Sequence, residues 1–120
     1  MKRIILLFSL IVLSISCFAQ SDYYTRQAES HMRDAEYYNK RAASYDREVE
    51  YYQKQAEKYM REAEYYTRQN KPDKARTYTR YATEASEKAR MYMRWAQEAR
   101  DKAQMRLRWA QEAMEKARRK

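Results

Sequence analysis

The 120-residue chain has no glycine, one proline, one cysteine and one histidine. Each shortage excludes something. Without glycine there is no residue that enters the left-handed region freely, so glycine-rich phosphate loops and repeated tight turns are ruled out. A lone cysteine excludes an intrachain disulfide. One histidine and no paired acids at a recognisable cleft leave no catalytic constellation and no cofactor site, so the chain reads as a non-enzyme. Branched aliphatics are almost confined to the first twenty residues. Beyond Gln20 there is one leucine (Leu107), one valine (Val49), no isoleucine and no phenylalanine. So few, beside a net charge of +9, would ordinarily indicate disorder.

The first twenty residues are of another kind. Lys2 and Arg3 form a basic start, Ile4 to Leu13 an apolar run, and Cys17-Phe18-Ala19 a small-residue cleavage pattern. This is the layout of a cleaved secretory leader over residues 1–20, which places the mature chain in the periplasm or outside the cell. The run is too short, and its far flank too polar, for a membrane span. Ser14-Ile15-Ser16-Cys17 loosely matches a lipoprotein signal, a minor alternative that would anchor the chain through Cys17.

What is abundant beyond the leader is alanine and tyrosine, in strict order. Alanine recurs every seven residues at Ala28, Ala35, Ala42, Ala56 and Ala63, with Val49 in the missing place. It resumes at Ala75, Ala82, Ala89, Ala96, Ala103, Ala110 and Ala117. The two series mirror each other: 28 and 117, 42 and 103, 63 and 82 share one midpoint, which falls in Asn70-Lys71-Pro72-Asp73-Lys74. With alanine at heptad position a, position d of the first arm reads Tyr24, His31, Tyr38, Tyr45, Tyr52, Tyr59 and Tyr66. Such a stripe predicts an all-α fold: two long antiparallel helices, about 22–69 and 73–118, forming an alanine/tyrosine coiled-coil hairpin. Asn70 suits a left-handed helix end, and Pro72 with Asp73 suits a helix start.

The facing positions follow from the mirror. Tyr52 meets Tyr92 and Tyr66 meets Tyr78 in large-large layers, with offset rings. Tyr59 meets Ala85, Tyr45 meets Ala99 and His31 meets Ala113 in large-small layers. His31 is therefore read as a packed seam residue, not as a metal ligand beside Met32. On the outer face, Glu29, Glu36, Glu50, Glu57 and Glu64 each precede a base by four residues, predicting five ion pairs along the helix.

A fourteen-residue period lies over the heptads. Tyrosine doublets fall at Tyr23-Tyr24, Tyr37-Tyr38, Tyr51-Tyr52 and Tyr65-Tyr66, and Arg80-Tyr81-Ala82, Arg94-Trp95-Ala96 and Arg108-Trp109-Ala110 open three copies in the second arm. Tyr65 to Ala82 resembles the helix-turn-helix of one tetratricopeptide unit in its Tyr-Tyr, Asn-Lys-Pro-Asp-Lys-Ala and Tyr-x-x-Tyr-Ala spacing. The roughly 34-residue repeat and the glycine of that family are not present.

Two features point to partners. The second arm is broadened by Trp95 and Trp109 at position g and by Met93, Leu107 and Met114 at e, more than a two-helix seam buries. Charge is also uneven: residues 20–70 carry nine bases against ten acids (−1), and residues 71–120 fifteen against seven (+8). The candidate interaction surface is therefore Trp95, Trp109, Met93, Leu107 and Met114, with Arg94, Arg106 and Arg108 beside them and Tyr37, Tyr51 and Tyr65 on the first arm. The leading expectation is a self-associating structural or interaction module, dimerising to a four-helix bundle. The alternative is a cationic amphipathic effector that binds a membrane or another anionic protein, lipid or polysaccharide surface through the second helix. Nucleic acid is a poor fit for a secreted chain.

Overall fold

The computed structural model describes the backbone of residues 2–119 and the side chains of residues 20–119. Residues 1–19 of the expected leader lie outside the residues whose side chains are described. Two helices make up the fold, α1 (Lys2–Arg68) and α2 (Pro72–Arg118), and they pack against each other as a helical hairpin. No strand occurs among the described residues. Alanine has the best helix propensity, glycine is missing, and the sole proline stands where its missing N–H costs nothing.

The link between the helices lies one residue earlier than the expected bounds. Gln69, Asn70 and Lys71 suffice, and Pro72 already belongs to α2. Asn70 takes the left-handed conformation with φ of 57°. Its N–H donates to the Thr67 carbonyl at 3.2 Å, and the Lys71 N–H reaches back to the Tyr66 carbonyl at 2.9 Å. These two bonds close the end of α1 as a Schellman motif with asparagine in the usual glycine position. The Lys71 carbonyl then accepts from the Ala75 N–H at 3.1 Å and starts α2. One residue thus ends one helix and caps the next, which is why three residues are enough.

Contacts divide the chain into two units, residues 38–101 and a terminal unit of 1–37 with 102–120. In the unit of 38–101 the buried residues are Ala42, Ala56, Ala63, Ala75, Ala82, Ala85, Ala89, Ala96 and Ala99. In the terminal unit they are Ala28, Ala35, Ala103, Ala110 and Ala113. Among the described residues every buried hydrophobic residue is alanine, and no polar side chain is buried. The seam alanines let two backbones come close, but they remove little apolar surface from water. The remaining cohesion must come from larger side chains at the seam edges.

The helix-surface ion pairs are fewer than predicted. Glu50 and Lys54 meet at 3.1 Å, as do Asp22 and Arg26 at 3.0 Å. Glu29–Arg33, Glu57–Arg61 and Glu64–Arg68 do not close among the described residues. Pairs worth a few tenths of a kcal/mol in water do not hold two long side chains in one geometry.

Candidate functional site

Across the alanine seam, each unit has two different sides. In residues 38–101 the side bearing positions d and g is filled with rings. Tyr52 stacks on Tyr92 with centroids 5.7 Å apart and planes 8° apart, and Tyr66 stacks on Tyr78 at 5.3 Å and 11°. These are the two large-large layers, in the offset form that aromatic quadrupoles prefer.

The large-small layers hold a feature the heptad arithmetic missed. Where position d of α2 is alanine, the aromatic residue four places earlier, at g, leans over it and touches the ring on α1. Tyr81 reaches Tyr59 at 5.5 Å, and Trp95 reaches Tyr45 at 5.7 Å. In the terminal unit Trp109 meets His31 edge-on at 5.5 Å. This is the structural content of the fourteen-residue repeat: a large residue at d (Tyr78, Tyr92, Arg106) alternates with alanine at d plus an aromatic at g. The signal was present in the spacing of Tyr81, Trp95 and Trp109 relative to Ala85, Ala99 and Ala113.

Trp95 is consequently half-buried between Tyr45 and Tyr92, 5.3 Å from the latter. It is part of the hairpin's own packing, whereas the sequence reading placed it on an outer surface. The reason is reach: alanines bring the helices close enough for an indole at the seam edge to span the gap. Trp109 is 38% exposed. Arg106 lies over its ring at 5.0 Å, and its Nη1 is 3.3 Å from Asp34 and 3.4 Å from His31 Nδ1. Arg80 likewise lies over Tyr81 at 5.9 Å. Arg94 and Arg108 are exposed and make no ion pair or ring contact among the described residues.

The opposite side, bearing positions a and e, is open. In residues 38–101 a groove of about 840 Å³ runs over Ala56 and Ala89. Met60 and Met93 stand along it, exposed, with Glu57, Glu64, Arg61 and Arg90 at its rim. None of these four charged residues forms an ion pair among the described residues. In the terminal unit Met32, Leu107 and Met114 are also exposed at position e. The third part of the candidate surface, Tyr37, Tyr51 and Tyr65, stands in water on α1 with more than half of each side chain exposed.

No helix among the described residues is long and apolar enough to cross a membrane. No protein-family model matches the chain, and comparison with curated proteins and with solved structures finds no match either.

Proposed function

We propose that the protein is a non-enzymatic helical interaction module of the periplasm or the extracellular space, and that it works by self-association. The observation that supports this reading is the alanine-floored groove of residues 38–101. Its walls are two exposed methionines, flexible side chains that adapt to an apposed surface. Its rim carries Glu57, Arg61 and Glu64 on α1 and Arg90 on α2. A second copy laid in the groove in the opposite sense sets Glu57 and Glu64 of each chain towards Arg90 of the other. That arrangement buries Met60 and Met93 of both chains.

Sedimentation of the purified protein tests this. The expected species is a dimer or larger, and the double variant Met60→Glu with Met93→Glu should weaken association by more than about tenfold, since each methionine contributes more than 1 kcal/mol when buried. Both side chains are exposed within the hairpin, so helix content should not change. A wild-type protein that sediments as a monomer at high micromolar concentration sinks the reading.

A second reading takes its support from the terminal unit, where exposed Trp109, Leu107 and Met114 share α2 with Lys116 and Arg118. That is the composition of a helix that lies on an anionic lipid surface. Its signature would be a shift in tryptophan emission on adding vesicles containing anionic lipid, lost in Trp109→Phe and retained in Trp95→Phe.

A further inference from the structure

Ten rings between Tyr45 and Trp95 form two groups among the described residues. One joins Tyr45, Tyr51, Tyr52, Tyr92 and Trp95. The other joins Tyr59, Tyr65, Tyr66, Tyr78 and Tyr81, with no tryptophan. In the first group every step is short: Trp95 to Tyr92 at 5.3 Å, Tyr92 to Tyr52 at 5.7 Å, and Tyr52 to Tyr51 at 5.1 Å. The series begins at a half-buried indole and ends at a phenol that is 55% exposed. Among the described residues, the one ring in contact with Tyr51 is its neighbour Tyr52.

We propose that this series carries one-electron oxidation from Trp95 to Tyr51, and that Tyr51 is a site of covalent tyrosine–tyrosine coupling between two copies of the chain. Cations stand over two other rings of the group, Tyr45 beside the series and Tyr52 within it. Arg41 donates to the Tyr45 hydroxyl at 2.7 Å and lies 5.5 Å over its ring, and the Lys88 ammonium lies 5.4 Å over Tyr52. A positive charge against a ring disfavours removing an electron from it, by the same attraction that makes a cation–π contact favourable. Tyr51 has no cation over it, and its phenolic proton passes directly to water. Electron loss therefore settles at the exposed end.

The chemistry balances with a one-electron oxidant of the peroxidase type acting on hydrogen peroxide. Trp95 gives up an electron and its indole proton, then regains both as Tyr92, Tyr52 and finally Tyr51 are oxidised in turn. Each of two Tyr51 phenols has then lost one electron and one proton. A carbon–carbon bond forms between their ortho carbons, and each ortho hydrogen moves to its own phenolic oxygen. The two electrons and two protons reduce one hydrogen peroxide to two waters. Coupling needs only that two chains collide with Tyr51 exposed. It does not depend on the groove, so the loss of one property leaves the other measurable.

The discriminating fact is that Tyr23, Tyr51 and Tyr65 are almost equally exposed, at 57%, 55% and 52%, but only Tyr51 is connected to a tryptophan. The purified protein is oxidised with radiolytic azide radicals, which attack tryptophan faster than tyrosine, and coupled tyrosines are mapped by peptide mass spectrometry. Tyr51 should be coupled in severalfold excess over Tyr23 and Tyr65. Trp95→Phe should bring it down to their level, and Trp109→Phe, whose indole meets His31 and Arg106 rather than a tyrosine, should not. Tyr92→Leu, which removes the middle ring and leaves both ends, should abolish the excess too and serves where Trp95→Phe perturbs helix content. Equal yields at the three tyrosines overturn the proposal, as does an excess at Tyr51 that survives both Trp95→Phe and Tyr92→Leu.

Discussion

At the scale of single residues, the rings at the seam edge hold what the alanines leave loose. Trp95 is the clearest case, because it touches Tyr45 on α1 and Tyr92 on its own helix. Trp95→Ala removes both contacts and part of a large apolar surface. Because the indole is only half-buried, the loss should be about 1–3 kcal/mol, read by urea unfolding, and below the value for a fully buried aromatic. Tyr78 has a different signature. The carboxylate of Glu62, and then its stacked neighbour Tyr66, raise its phenol above the ordinary tyrosine value. A raised value means that the folded state favours the neutral phenol. The associated stability is fully present below the ordinary tyrosine pKa and is lost as pH rises through the folded one. In an alkaline spectrophotometric titration Tyr78 should ionise above the ordinary tyrosine value, and Glu62→Gln should bring it back towards that value. No change in that variant would remove Glu62 as the cause.

At the scale of elements, the turn is the most economical feature. Asn70 holds a conformation in which a side chain with a Cβ is strained, and asparagine tolerates it better than most. Asn70→Ala should destabilise the hairpin by about 1 kcal/mol, and Asn70→Gly should be neutral or slightly stabilising. Thermal melts of the two variants side by side check this; equal losses would mean that the φ of Asn70 is not what matters. Much of this element was legible beforehand. Asn70, Pro72 and Asp73 carried the helix end and the helix start in their own chemistry. Its exact placement was not, because the Schellman bonds of Asn70 and Lys71 end α1 at Arg68 and let Pro72 open α2, and only the backbone geometry shows that. The charged outer face was over-read in the opposite direction: five Glu–base spacings were available, yet Glu29, Glu57 and Glu64 stay unpaired, since solvent screens what sequence spacing permits.

At the scale of the molecule, the hairpin joins two stretches of chain that are each amphipathic and that need each other. Deleting Gln69 to Pro72 should fuse α1 to α2, because it removes both the left-handed Asn70 and the proline that would kink a joined helix. The seam alanines and rings then have no intramolecular partner, so stability should become steeply dependent on protein concentration. A deletion variant that melts at one temperature across a hundredfold dilution would contradict the hairpin's role in pairing them. The sequence by itself determined the helical class, the mirror about the turn, the burial of the alanines and the two stacked tyrosine layers. All of these follow from heptad spacing, which dictates the side of a helix on which a residue lies. Only the tertiary structure decided what the seam-edge residues do. Tyr81, Trp95 and Trp109 close over the tyrosine side, while Met60 and Met93 are left along an open groove. Spacing gives a side chain's direction, but whether it meets a partner or water depends on helix separation and on the reach of that side chain, which exist only once the two helices are packed.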